Sequence, residues 1–203
     1  MPRDAALSAQ ICALRTQADS NDWQEREEAG FTLRNLIEQQ FQEGMELTGD
    51  WVSDPSERVR RAACLACMQR KARTTPERLP VILGRLEPLM ADDSLYVRKC
   101  CGPFVVGYLG YTYPRQVLPW LREQAASDDL NVRANVAKAF SQALGSHHPD
   151  EAVQILSLLA PDERHRVRSA VLGSLRNLLR RRAVPAADLE QRFFDLAAQL
   201  GRR

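Results

Sequence analysis

The sequence predicts an all-α protein in which pairs of helices stack into a solenoid. The first observation is an arginine that recurs at intervals of 34, 38, 35 and 35 residues. The second is an acidic turn before each arginine, and the third is a helical spacing of apolar residues without competing β-type alternation. Self-similarity at this period is typical of solenoids, whose units bury their apolar faces by stacking on neighbours. The recurring arginines are Arg26, Arg60, Arg98, Arg133 and Arg168.

The repeat divides the chain into about five helix pairs, and we expect a single elongated domain over 1–203. The predicted repeats span 5–40, 41–75, 76–113, 114–147 and 148–182. First helices of these pairs are predicted over 41–47, 79–89, 117–121 and 152–159. An initial helix over 5–18 should cap one end of the stack, and a helix over 186–200 should cap the other.

On each second helix, two positions at helical spacing from the recurring arginine should face the core. The position three residues after the arginine holds Ala29, Ala63, Cys101, Val136 and Val171. The position four residues further holds Leu33, Cys67, Val105, Phe140 and Leu175. Because these residues are all small or apolar, they predict the contact surface between helices.

Composition indicates an ordinary soluble protein, with 44% hydrophobic and 27% charged residues. No apolar run approaches the roughly 20 residues needed to span a bilayer, so we expect no membrane segment. Five cysteines without a secretory signal indicate reduced thiols and a cytoplasmic protein. Cys64 and Cys67 form a C-x-x-C motif and Cys100 and Cys101 follow one repeat later, but their helical context favours buried thiols over zinc. We expect no metal, no cofactor and no small-molecule substrate.

The recurring arginines are best explained as structural. Each would lie on the first turn of a second helix and reach back to a carboxylate of the preceding turn, while its guanidinium caps exposed carbonyls there. The spacing from aspartate to arginine is six residues in three units and five in a fourth. The predicted ladder joins the five arginines to Asp54, Asp92, Asp128 and Asp162.

The segments around these arginines resemble a known repeat family. DPSERVRRAA, DDSLYVRKCC, DDLNVRANVAKAF and DERHRVRSAVLGSL look like HEAT repeats. DWQEREEAGFTLRNL and YVRKCCGPFVVG resemble more narrowly the HEAT-like proteins related to bacterial DNA alkylation-repair glycosylases. The resemblance implies a right-handed α-α superhelix of the HEAT/armadillo type. It leaves open whether the concave face binds DNA.

Basic and acidic residues are concentrated in different segments of the chain, and the basic segments contain second helices. The segment 56–75, which contains a second helix, carries six basic residues and one acidic, and 163–182 carries seven and one. The segment 22–50 instead carries two basic and eight acidic residues. Because second helices usually line the concave surface of such stacks, this sorting predicts a basic groove; the alternative is a solvated helix face. The candidates that face away from the core are Arg34, Arg61, Lys99, Lys138, Arg176 and Arg180.

Aromatic residues concentrate in the third repeat, where Gly102 and Pro103 predict a helix that kinks or ends early. Tyr108 and Tyr111 are the most accessible candidates among them. They would stack a base or seat an apolar side chain of a partner. The alternative is that they fill core space left by glycines.

Three functions fit these features. The first is a non-catalytic HEAT-repeat module that binds a macromolecular partner along its concave face, with a protein narrowly favoured over DNA. The second is a DNA-binding protein that contacts phosphates through the basic groove. The third, a DNA glycosylase, is disfavoured. The repair glycosylases that the chain resembles place a carboxylate one helical turn from a tryptophan, and only Trp23 with Glu27 meets that requirement here.

Overall fold

The computed structural model describes residues 2–70, 75–181, 191, 192 and 194–198. Within these residues the regular structure is entirely helical, without any strand. The predicted all-α class is therefore confirmed. By its internal contacts the chain divides into two compact units, Met1–Cys101 and Gly102–Arg203.

The N-terminal unit alternates first and second helices of successive pairs. The first helices are α1 (Pro2–Ala18), α3 (Phe41–Leu47) and α5 (Arg78–Met90). The second helices are α2 (Trp23–Gln39), α4 (Glu57–Ala66) and α6 (Leu95–Cys100). A 3₁₀ turn, Gly49–Ser53, follows α3. In this unit α2 packs against α4, and α4 packs against α6, so the second helices form a layer of their own.

The C-terminal unit repeats this arrangement. Its first helices are α8 (Pro114–Gln124) and α11 (Pro149–Leu159). Its second helices are α7 (Gly107–Thr112), α9 (Leu130–Ala139), which is followed by the short α10 (Ala143–His147), and α12 (His165–Arg180). Together the described helices form five pairs, and α9 packs along α12.

The polar turns between helices supply the caps that start most second helices. Asp22 Oδ1 accepts from the Gln24 amide at 2.7 Å at the start of α2. Ser56, Ser94 and Asp129 cap α4, α6 and α9 in the same way. A side-chain cap of this kind stabilises a helix by about 1 kcal/mol. Proline occupies the first position of α8 and of α11, where its missing N–H has no cost.

The core lies where the repeat pattern predicts it. All ten residues at the two predicted core positions are at most 1% exposed. Phe140 and Leu33 are among the largest side chains that are fully buried. The helical spacing alone therefore identified the contact surface between the helix layers.

The helix of the third repeat does not end at Gly102 and Pro103. The backbone stays helical from Leu95 to Thr112, and the disruption takes the form of a π-helical segment, Cys101–Val106. Proline has no backbone N–H to donate to the helix, and a π-helical turn tolerates this missing hydrogen bond. Glycine is needed beside it, because a Cβ at Gly102 would lie 2.8 Å from the carbonyl oxygen of Asn135.

The ends of the chain are described in part. Of the predicted C-terminal cap over 186–200, residues 191, 192 and 194–198 are described and are helical, with Leu196 buried. The other positions of that cap lie outside the described residues. Among the described helices, none is long and apolar enough to cross a membrane.

Candidate partner-binding surface

The recurring arginines cap the turns from which their helices start. In Arg26, Arg60 and Arg98, Nη1 donates to the carbonyls five and six positions earlier, at N–O distances of 2.5 to 3.2 Å. Arg133 departs from this pattern, because its Nη1 donates to the carbonyl of Ala125. Carbonyl capping of this kind explains why the arginine returns at the same place in successive repeats.

For Arg60 and Arg133, the carboxylate partner belongs to a different turn from the one predicted. Arg60 Nε lies 2.6 Å from Asp92 Oδ2, in the turn of the next repeat, and Arg133 Nε lies 2.6 Å from Asp162 Oδ2. Asp54, the predicted partner of Arg60, accepts instead from Arg15 Nε at 2.8 Å.

The reason for this shift is that the aspartates already serve their own turns. In Asp54, Asp92 and Asp162, Oδ1 accepts from the backbone amide two residues later, at 2.7 to 2.9 Å. This local turn leaves Oδ2 directed toward an arginine of the repeat before it. The ladder therefore links repeats to each other rather than closing each repeat on itself.

The last ladder positions differ further from the prediction. Asp128 is exposed, and its carbonyl, not its carboxylate, accepts from Arg164 at 2.6 Å. Arg168 is half-buried, and within the described chain its guanidinium has no hydrogen-bond partner. Arg164 takes its place at Asp162, with Nε 2.9 Å from Oδ1 and Nη2 2.7 Å from Oδ2.

Arg61, a predicted partner-binding residue, is occupied by groups of neighbouring repeats. Its Nη1 pairs with the Glu27 carboxylate, and its guanidinium carbon lies 4.9 Å from the centre of the Tyr96 ring. Arg26 Nε donates to the Tyr96 hydroxyl at 3.2 Å. We call these four residues the Tyr96 cluster. Only 14% of the Arg61 side chain and 17% of the Glu27 side chain are exposed.

The protonation of Arg61 reflects these surroundings. Burial works to lower the pKa of Arg61, but Cys100 and Glu27 together raise the pKa above its ordinary value. The guanidinium is thus a fixed cation whose charge is compensated within the N-terminal unit. A phosphate or carboxylate of a partner would have to displace Glu27 to bind it.

In the tryptophan–carboxylate pair considered for excision chemistry, an arginine already binds the carboxylate. Trp23 is 57% exposed at the start of α2. Glu27, one helical turn later, is committed to Arg61. A carboxylate held by an arginine is poorly placed to stabilise the positive charge of another group.

The other candidates of the N-terminal unit are dispersed. Arg34 is half-buried, lies 5.2 Å from the centre of the Phe31 ring and donates through Nη2 to Asn35 Oδ1 at 3.0 Å. Lys99 is exposed. It is followed in the chain by the buried pair Cys100 and Cys101.

The opposite arrangement occurs on α12 of the C-terminal unit. Arg176 and Arg180 lie one helical turn apart and are both exposed, and the exposed Arg181 follows directly. Within the described residues no carboxylate pairs with any of these three arginines. Arg180 Nη2 donates to Asn177 Oδ1, which orients this guanidinium along the helix.

Two adjacent cavities open beside these arginines. The first, of about 410 Å³, is lined by Ser141, Gln142, Asn177, Arg180 and Arg181. The second, of about 640 Å³, is lined by Gly173, Arg176, Asn177, Leu179 and Arg180. We call the two cavities together the α12 basic groove.

The remaining predicted residues of the C-terminal unit lie on other helices. Lys138 is half-buried on α9, and its carbonyl accepts from Ser141 Oγ at 2.7 Å. Tyr111 is 46% exposed and meets the His147 ring edge-on, with the ring centres 4.8 Å apart. Tyr108 is half-buried, so of the two tyrosines Tyr111 is the more accessible.

Sequence reasoning missed the polar and small residues that shape the groove. Asn177, Gln142 and Gly173 carry no distinctive motif, and their positions depend on how α12 packs against the end of α9. It also missed the ion pair between Arg61 and Glu27. Opposite charges at the same position of adjacent repeats, Glu27 and Arg61, were the available signal for an ion pair.

The cysteines of the C-x-x-C motif and its neighbour repeat are buried thiols. Cys64, Cys67, Cys100 and Cys101 are at most 4% exposed. Burial raises the pKa of Cys67 to about 12, which keeps it protonated and unreactive at neutral pH. Among the described residues, no group of three His, Cys, Asp or Glu side chains is arranged to hold a metal ion.

The repeat type is given by comparison with known families. Residues 88–176 match the family described as HEAT repeats. This stretch is similar to HEAT repeats. The predicted resemblance to HEAT repeats is confirmed, and the match runs from the last turn of α5 through most of α12.

Two solved structures from Streptococcus mutans share the fold. AlkD2 is 13% identical with a TM-score of 0.62, and the alignment covers 95% of this chain and 97% of that one. The protein smu.31 of strain UA159 is 15% identical with a TM-score of 0.55, covering 96% of this chain and 92% of that one. Identities this low establish the fold alone. A comparison with curated proteins gave no match.

Proposed function

We propose that this chain is a non-catalytic HEAT-repeat module that binds an acidic segment of a protein partner through the α12 basic groove. The observation that carries the proposal is the cluster of Arg176, Arg180 and Arg181, which is exposed and has no acidic partner within the described chain. Uncompensated arginines beside a concave surface attract carboxylates and orient them through paired N–H donors.

The distribution of charge favours a protein over DNA. A duplex presents phosphates at regular intervals, so a protein that follows its backbone needs unpaired cations on successive helices. At the position that holds Arg61 and Lys99, the other repeats carry Glu27, Ala134 and Ser169. Arg61 is itself paired with Glu27, so it is not a free cation for a phosphate.

A binding role is also favoured over an excision role. Glu27, the carboxylate one helical turn after the exposed Trp23, is bound by Arg61. A glycosylase needs a carboxylate that faces the substrate sugar and stabilises its developing charge. In the proposed function, Glu27 stabilises the stacking of α2 on α4.

The test is fluorescence anisotropy of the purified protein with labelled glutamate-rich peptide and labelled duplex DNA, from about 50 to 200 mM salt. We expect the peptide to bind and the affinity to fall with salt, while the duplex binds more weakly. The Arg176→Gln, Arg180→Gln double variant should lower peptide affinity about tenfold or more, since hydrogen bonds to charged groups are lost.

A matched control is Arg115→Gln, because Arg115 is an exposed arginine on the first helix α8. Peptide affinity should be unchanged in this variant. Tighter binding of duplex than of peptide, with a release of several ions, would establish DNA binding in place of the proposed function. Absence of binding to both probes at low salt would reject a role for the basic groove altogether.

A further inference from the structure

The first cavity of the α12 basic groove is a polar site. It combines two guanidinium groups, Arg180 and Arg181, with the side-chain amides of Asn177 and Gln142. All four supply N–H donors, and no acidic side chain is among the described residues that line it. Asn177 holds the Arg180 guanidinium by accepting a hydrogen bond from it. The arrangement suits a carboxylate, which accepts up to four hydrogen bonds and needs its charge compensated.

The second cavity has a different character. Its surface is mostly apolar, formed by Leu179, the aliphatic part of Arg176 and the bare backbone at Gly173. A Cβ placed on Gly173 would meet nothing within 4 Å, so the space above this glycine is open. The cavity therefore offers an apolar surface and room for a side chain.

The two cavities form one continuous groove. They share Asn177 and Arg180, and their α12 residues run from Gly173 to Arg181. At a rise of 1.5 Å per residue, this part of α12 is roughly 12 Å long. An extended peptide of three to four residues covers about the same distance.

We infer that the α12 basic groove binds a peptide segment in which a carboxylate is followed or preceded, about three residues away, by a bulky apolar side chain. The carboxylate occupies the polar cavity and the apolar side chain occupies the cavity at Gly173. This inference rests on the proposed function and specifies the chemistry of the partner segment.

The apolar half distinguishes this ligand from a nucleic acid. Phosphates and sugars offer no branched aliphatic group to a cavity lined by Leu179 and Gly173. Arginines that served phosphates alone would gain nothing from an apolar neighbour. Charge complementarity and apolar burial within one short groove are together typical of a linear protein motif.

The experiment uses the full chain and three fluorescein-labelled peptides on a glycine–serine background. The first carries two adjacent glutamates and a leucine three residues later, the second replaces the leucine by serine, and the third replaces both glutamates by glutamine. We expect wild-type protein to bind the first peptide about tenfold more tightly than either of the others, from apolar burial and charge pairing respectively.

Two variants test which cavity binds which side chain of the peptide. Gly173→Phe should fill the apolar cavity and abolish the preference for leucine over serine, while the preference for glutamate remains. Arg181→Gln should do the reverse, because Arg181 lines only the polar cavity. Gly84→Phe is the matched control, because Gly84 lies exposed on α5 and a Cβ there also meets nothing within 4 Å. Circular dichroism and thermal unfolding check that all variants fold.

The outcomes separate the inference from the proposed function. If wild-type protein binds both glutamate peptides equally, or if Gly173→Phe keeps the leucine preference, the inference is overturned while acidic recognition stands. Failure of every glutamate peptide to bind rejects the proposed function as well. Equal binding of the glutamine peptide would show that the arginines take no carboxylate, and it too overturns the inference.

Discussion

Arginines on the second helices of the two units are used in opposite ways. In the N-terminal unit Arg61 lies between Glu27 and the Tyr96 ring, and only 14% of its side chain is exposed. In the C-terminal unit Arg176 and Arg180 project from α12, without a carboxylate partner in the described chain. The difference arises in the neighbouring repeat, which supplies a carboxylate to Arg61, whereas the described residues supply none to the α12 arginines.

This comparison shows that basic residues on a repeat protein cannot be counted as a binding surface from their helical phase alone. An arginine that meets a carboxylate one repeat away stabilises the stack, whereas an unpaired one is available to a partner. The Tyr96 cluster is therefore a structural element, and the α12 basic groove is a candidate site. Four sets of measurements test the distinction, beginning with the largest expected effect.

Replacing the paired arginine should cost the most stability. Arg61→Ala leaves the Glu27 carboxylate without its partner and removes the contact with Tyr96, so we expect unfolding free energy to fall by about 3 kcal/mol. Arg176→Ala, which removes an exposed side chain, should change it by less than about 0.5 kcal/mol. Urea unfolding followed by circular dichroism measures both. Equal losses for the two variants would contradict the division into structural and available arginines.

Asp162 is the carboxylate that joins two arginines in the C-terminal unit. Its side chain is 4% exposed, and Asp162→Asn should lower the unfolding free energy by about 2 kcal/mol. Hydrogen bonds from Arg164 and then from Arg133 hold the pKa of Asp162 well below its ordinary range, although burial acts in the other direction. The pKa of Asp162 is thus lower in the folded state than in the unfolded state.

This depressed pKa fixes the pH dependence of the contribution. The stabilisation by the Asp162 carboxylate is fully present above the unfolded-state pKa of about 3.9 and is lost as pH falls through the lower folded-state pKa. The stability difference between wild type and Asp162→Asn should therefore be constant near pH 7 and shrink below about pH 4. A difference that stays constant down to pH 2 would contradict the assignment.

Charge reversal at exposed cations tests the difference between the two units through their effect on peptide binding. Arg176→Glu should weaken binding of the glutamate–leucine peptide at least tenfold, because it places a carboxylate in the groove. Lys99→Glu reverses an exposed cation of the N-terminal unit and should leave this affinity within about twofold, with small changes only through long-range attraction. Anisotropy titrations at two salt concentrations give both values. Similar losses would indicate a diffuse attraction rather than a site.

The smallest effect concerns the two open helix glycines, one in each unit. Gly84→Ala and Gly173→Ala should each raise the unfolding free energy by about 0.5 to 1 kcal/mol, because alanine favours the helix and its Cβ meets nothing within 4 Å. Differential scanning calorimetry would detect this as a higher Tm. Destabilisation by Gly173→Ala would show that the space above this glycine is occupied in solution.

Much of the fold could be predicted because it depends on local pattern. The helix pairs follow from apolar spacing, the starts of α2, α4, α6 and α9 from polar residues in the turns, and the ten core positions from one period applied five times. At Gly102 and Pro103 the pattern indicated a disruption. Its form, a π-helical segment, depends on the fit against Asn135 of α9.

The candidate site was predicted only in part. Arg176 and Arg180 were identified by helical phase, but the same phase selected Arg61, which the structure pairs with Glu27. The ladder aspartates were recognised, but Arg60 was assigned to Asp54 rather than to Asp92 of the next repeat. In both cases helical phase predicted the direction of the side chain but not the group that the side chain contacts.

The sequence by itself determined the repeat, the helix pairs and the core, since each of these depends on residues within one turn or one helix of each other. Only the tertiary structure decided which arginines are paired and where cavities open, because those properties depend on atoms some thirty residues apart in the chain. The Oδ2 atom of Asp92 and the Nε atom of Arg60 are brought to 2.6 Å by the packing of one repeat on the next. The polar cavity beside α12 exists for the same reason, because the packing of α12 brings Asn177, Arg180 and Arg181 next to Ser141 and Gln142.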